Sequence, residues 1–248
     1  MNLMEILLAL AFLLVAILYS SLGHAGGTGY LTSMALLGFS PESMKPTAIV
    51  LNIVVGAIGL FRFASAGHIK LRNVLPFAIA SIPAVYFATK MHFTAPSYAL
   101  VLGILIMIGA IGMFAQAERA DTLDARAAVN KMPMLAAIFA GGCIGLFSAM
   151  TGTGGAVILT PLILLAGWMP TREAFGTSVV IVWLNSLLAF WMLEAPTYPS
   201  QLPYWAIIVA IGALIGTQLG IRVLSTRTLR WMVGAVMVIG AARLLLLG

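Results

Sequence analysis

The residues best suited to chemistry in this 248-residue chain stand in two glycine-rich stretches. SLGHAGGTGYLTSMALLGF begins at Ser21 and offers His24, Gly26, Gly27 and Thr28. SAMTGTGGAVILTPLILLAG begins at Ser148 and offers Thr151, Gly152, Thr153, Gly154 and Gly155. Each breaks an apolar run and is followed by a short apolar segment. If that segment is a helix, its first N–H groups lack carbonyl partners and carry a partial positive charge. Glycine lets a ligand come close to such a backbone, and threonine hydroxyls add donors. The chemistry on offer is anion binding. The competing reading is that the glycines only let helices pack closely.

The elements that must position these residues are membrane helices. The chain is 62% hydrophobic and 8% charged, with a mean hydropathy of +1.09. A soluble domain carries about 25% charged residues. Breaks in the apolar pattern divide the chain into ten segments, roughly 3–22, 28–39, 46–66, 74–90, 96–115, 133–150, 156–168, 173–193, 203–222 and 229–247. Eight are long enough to span a bilayer. The second and seventh give only about 18 and 20 Å of helix against about 30 Å of hydrocarbon. The expected fold class is an all-α polytopic membrane bundle. MNLMEILLALAFLLVAILYS lacks an early basic residue and reads as a retained helix rather than a leader.

The two stretches repeat. At a spacing of 128 residues Gly26-Gly27 meets Gly154-Gly155, and His24 meets Gly152. With slips of one residue, Gly38 meets Gly167, Pro41 meets Pro170, and Thr47-Ala48 meets Thr177-Ser178. The chain reads as two five-segment units, residues 1–116 and 132–248, joined by a cytoplasmic loop at 117–131. An odd number of segments per unit makes the second copy enter from the opposite face, an inverted-topology repeat. The tips Gly23–Gly29 and Thr151–Gly155 then approach each other near the midplane.

Basic residues set the orientation. Lys70, Arg72, Arg119, Arg126, Lys131, Arg172, Arg222, Arg227 and Arg230 fall on one side, Lys45, Lys90 and Arg243 on the other. This puts the first side in the cytoplasm and the N-terminus outside an inner (plasma) membrane. The net charge of +6 lies mostly in loops, forms no basic stripe and argues against nucleic acid.

Several single residues carry two readings each. His24 pairs with an anion or a coupling proton, or is a neutral histidine bonded to a carbonyl at the break. Asn52 and Asn185 line a cavity or bond a neighbouring helix. Thr47, Thr177 and Ser178 line the cavity or cap the helices they start. Arg62 snorkels to the interface or faces an anion path. His68 and His92 are interfacial. Gly212, Gly216 and Gly220 mark close helix packing. None of the seven carboxylates falls mid-membrane, which suits an anion better than a cation. A lone Cys143 and three histidines make a structural metal site unexpected, and no cofactor is expected. P-loop, G-x-S-x-G and H-E-x-x-H motifs are absent, so pumping by nucleotide and intramembrane hydrolysis are disfavoured.

The paired motifs resemble the TauE/SafE family of sulfite-exporter and organosulfonate permeases. TGTGGAVILTPLILLAG followed by EAFGTS at Glu173–Ser178 carries the resemblance best. GHAGGTGYLTSMALLGFSP followed by KPTA at Lys45–Ala48 is similar more loosely, with Ser33 where the family favours proline. The resemblance implies a secondary transporter of sulfite, sulfonates or similar sulfur anions. Its expected partners are that anion and the lipid bilayer, with a homodimer allowed. The open alternatives are an anion channel or a carrier of another small anion.

Overall fold

The structure, a computed structural model, describes residues 3–91, 95–118, 130–222 and 226–247. His92, Arg119, Arg126, Asp121, Asp124 and most of the connecting loop lie outside the described residues. Ten helices are described: α1 (Leu3–Ser21), α2 (Gly27–Leu36), α3 (Pro41–Ser65), α4 (Leu71–Thr89), α5 (Ala95–Glu118), α6 (Met134–Thr151), α7 (Ala156–Leu165), α8 (Thr171–Trp191), α9 (Leu202–Arg222) and α10 (Thr226–Leu247). Among the described residues six, namely α1, α3, α4, α6, α8 and α9, are long and apolar enough to cross a membrane. The protein is a multi-pass helical membrane protein. Leu10, Ile79, Ile111, Phe139 and Ile207 stand exposed along its flanks, where lipid rather than water is the natural solvent.

The two short helices are alike. Both have 10 residues, about 15 Å of helix, half of what a bilayer needs. Both follow an N-cap glycine in the left-handed region, Gly26 (φ 101) and Gly155 (φ 88). The preceding helices also end on left-handed glycines, Gly23 (φ 69) and Gly152 (φ 77). At the first end the N–H of His24 returns to the Tyr19 carbonyl at 2.9 Å, the six-to-one bond of a glycine-terminated helix. Structural equivalence therefore runs at a spacing of 129: Gly23 with Gly152, Gly26 with Gly155, Gly38 with Gly167. That is one residue beyond the spacing at which the glycine letters align best, and it pairs His24 with Thr153 rather than Gly152.

Two helix starts differ from the sequence pattern. α3 begins at Pro41, after an extended Ser40, and keeps Pro46 inside it. Proline at the first helical position needs no donor, and Pro46 forfeits only a bond to the carbonyl of exposed Glu42. Lys45 is thereby a helical residue rather than a loop residue. Thr47 in α3, and Thr177 and Ser178 in α8, lie inside their helices and cap nothing.

The packing repeats between the halves. α1 packs on α9 and α4 on α6; α2 packs on α3 and α7 on α8; α2 packs on α10 and α5 on α7. Advancing each label by five, and returning to α1 after α10, turns one member of each couple into the other. α3 pairs with its own counterpart α8, and α5 with α10. Both of these pairs are antiparallel, because Gly56 and Gly59 of α3 meet Trp183 and Val179, and Gly109 and Phe114 of α5 meet Met237 and Gly234. Glycine stripes let backbones touch elsewhere: Gly212, Gly216 and Gly220 run parallel to Leu13, Ile17 and Ser21 of α1, and Gly141 and Gly145 lie on Phe77 and Ser81 of α4. The first of these stripes is the close packing that its four-residue spacing predicts.

Candidate functional site

The hairpin tips meet beside the middle of α3. A Cβ on Gly27 would stand 2.7 Å from the Thr153 carbonyl oxygen and 2.5 Å from Asn52 Nδ2. Only glycine allows the first tip to reach the second. Asn52 Nδ2 donates to the Gly152 carbonyl at 3.1 Å, tying α3 to the opposite tip. Asn52 is fully buried, and its Oδ1 has no partner among the described residues. Gly154 lies against Val182 of α8 and near the same Asn52 amide.

A second polar link crosses between the halves. Thr160 on α7 donates to Ser178 Oγ on α8 at 2.7 Å. Its oxygen is then left to accept from His24 Nε2 at 2.9 Å, which puts a hydrogen on that ring nitrogen. All three side chains are buried. His24 is thus held by a threonine of the other half. Tyr19 stands beside its ring, with centroids 6.1 Å apart.

The remaining candidates separate. Thr28 donates to the Tyr19 hydroxyl at 3.1 Å, back toward α1. Thr151 donates to the Phe147 carbonyl at 2.7 Å and stands 2.9 Å from Thr153 Oγ1, so the second tip carries a pair of hydroxyls. Thr177 points to Met169 Sδ at 3.5 Å. Asn185 faces α4, where it accepts from Ser81 Oγ at 2.6 Å; it does not join the tips. Arg62, in the last turn of α3, donates to Gln218 of α9 at 2.6 Å.

Neither short helix has a side-chain cap. The uncapped start of α2, at Gly27, lies beside the Asn52 amide, and the threonine pair stands in the tip that leads into α7. The described carboxylates sit at helix ends or in connections: Glu5, Glu42, Glu118, Glu173 and Glu194. Among the described residues no group of His, Cys, Asp and Glu is assembled to hold a metal ion. At the α8 start, Lys70 and Asn73 hold Glu173 at 2.5 and 2.9 Å. Burial, and then Arg172, hold the nearby His68 imidazole below its ordinary pKa.

Sequence reading placed Thr160 in the repeat and Lys45 in the charge count but gave neither a role at the site. Thr160 is the only polar side chain in AVILTPLILL, a signal visible in the letters. At a spacing of 128 it meets Thr32, whereas its structural equivalent, at the spacing of 129, is the apolar Leu31.

Relatives share this architecture's length. A probable membrane transporter protein of Sinorhizobium fredii is 39% identical over 241 residues, covering 96% of this chain and 97% of the relative. One of Methanocaldococcus jannaschii is 25% identical, covering 93% and 91%. Another, of Xylella fastidiosa, is 24% identical, covering 84% and 80%. No solved structure matches the chain. The family described as sulfite exporter TauE/SafE matches residues 8–244. With nearly its whole length matched, the chain belongs to the TauE/SafE family of membrane transporters.

Proposed function

We propose that this protein is a secondary carrier of sulfite or a small organosulfonate, working by alternating access. Two units, 1–116 and 132–248, are related by inverted topology and joined by a cytoplasmic loop at 117–131. They rock about an anion held where the tips meet. The observation that carries this reading is the contact of Gly27 with Thr153 and Asn52 at the centre of α3. It brings the uncapped start of α2 to the tip that leads into α7. The antiparallel α3–α8 and α5–α10 pairs support the inversion. The helix-end placement of the described carboxylates supports an anionic cargo. The protein lies in the inner membrane with its N-terminus outside.

The proposed site draws on His24, Gly26, Gly27, Thr28, Asn52, Thr151, Gly152, Thr153, Gly154, Gly155 and Ser178. Backbone N–H groups and threonine hydroxyls would hold the anion. The His24–Thr160–Ser178 chain spans both units, so rocking would break it. His24 Nε2–H would then turn to the anion, and the Nδ1 lone pair would take up a proton, which couples transport to pH.

The test is labelled flux in proteoliposomes with sulfite, sulfate, thiosulfate and sulfoacetate. The expected result is saturable uptake of one anion, with counterflow, weakened at least tenfold by His24→Ala. Flux that never saturates would make the protein a channel. No flux for any of the four would sink the sulfur-anion assignment and turn the screen to carboxylates.

A further inference from the structure

Each tip's first left-handed glycine packs on the opening turns of the opposite half's long helix. A Cβ on Gly23 would stand 2.6 Å from Phe175 Cβ and 2.7 Å from its Cα, near the start of α8. A Cβ on Gly152 would stand 3.1 Å from Lys45 Cγ and 3.3 Å from the Lys45 carbonyl, near the start of α3. The two contacts are equivalent in position and unlike in chemistry. One half offers a phenylalanine, the other a cation.

Lys45 is half-buried. Among the described residues no carboxylate forms a salt bridge with it; the ion pair described is Lys70–Glu173. Its stem lies on the turn that holds Thr151, Gly152 and Thr153, and Asn52 stands two turns further along α3, bonded to the same Gly152. Partly removing an ammonium from water without a partner is unfavourable. An anion beside it would offset that loss, and Lys45 lies against the same tip that Asn52 holds. The equivalent position in the other half, Phe175, carries no charge.

We infer that Lys45 is the anion-capturing residue on one face of the transporter, so that the two faces bind the same anion unequally. This rests on the carrier reading above and adds a residue and a sidedness to it. A lipid phosphate could present the same chemistry, and the test separates the two.

The experiment measures half-saturating sulfite from each side in proteoliposomes of pure phosphatidylcholine, sorted by orientation. Lys45→Gln is expected to raise the half-saturating concentration at least tenfold from the Lys45 side and less than twofold from the other. Lys45→Arg is expected to restore it to within about threefold of wild type. Lys90→Gln removes an exposed charge from the same end of the bundle and is expected to change little. Equal half-saturation in Lys45→Gln and wild type overturns the inference. So does an equal loss in Lys90→Gln, which would mean general attraction, and so does an effect that appears only when anionic lipid is added. If wild type fails to saturate with sulfite while acetate saturates it, the sulfur assignment falls and the same comparison with acetate still decides Lys45.

Discussion

Asn52 of α3 donates its amide to the carbonyl of Gly152, 100 residues away, at 3.1 Å. This bond joins a long helix of one half to the hairpin tip of the other. Both ends are buried. Replacing Asn52 with leucine strands the Gly152 carbonyl away from water, at a cost of about 1–3 kcal/mol. The variant should melt several degrees below wild type in detergent and lose most of its flux. Wild-type melting would mean that the carbonyl finds another donor and that the link is dispensable.

Gly27 tests the meeting of the tips more directly. A valine there must push aside Thr153 and Asn52, because its Cβ would lie within 2.7 Å of both. Gly27→Val should remove at least 90% of flux while the protein still elutes as a folded species. Retained flux at wild-type affinity would refute the tip site.

Gly216 tests packing rather than transport. Its missing side chain lets α9 touch the Ile17 carbonyl and Ser20 hydroxyl of α1. Overpacking of this kind costs about 1–3 kcal/mol. Gly216→Leu should lower the melting temperature and the yield of folded protein, whereas Gly38→Asn, at a site with open space around it and a left-handed backbone that asparagine tolerates, should change neither by much.

The Lys70–Glu173 pair is partly exposed, with side-chain accessibilities of 42% and 15%. Screening by water limits such a pair to about 0.2–1 kcal/mol. A double-mutant cycle with Lys70→Met and Glu173→Gln should return a coupling in that range, shrinking in high salt. A coupling several times larger would show that the pair closes this end of the bundle in the state studied.

His68 should titrate below the ordinary histidine range, since burial and the Arg172 charge both disfavour its protonated form. The unfolded chain then binds the proton more readily. The contribution to stability is full above the ordinary histidine pKa and is lost as pH falls through the lowered one. Ring NMR in nanodiscs can follow this, and Arg172→Ala should move the titration upward. A titration at or above the ordinary range would contradict the placement of His68 beside Arg172.

Much of the architecture was legible in the letters because hydrophobic length and glycine breaks are local properties. A segment of ten apolar residues is half a membrane span whatever surrounds it, and a Gly-Gly break before it announces a chain reversal. The spacing of Gly212, Gly216 and Gly220 announced a packed face for the same reason. What tertiary structure decided was where side chains point once helices cross. Asn52 and Asn185 look alike in sequence, yet one turns to the Gly152 tip and the other to Ser81. Thr160 looks like a stray polar residue until His24, 136 positions earlier, arrives beside it. Lys45 reads as a loop charge until α3 begins four residues before it and lays its stem on Gly152. Composition and periodicity constrain each helix alone; the angle at which α3 meets α8, and the depth to which each hairpin reaches, come from close packing between distant parts of the chain.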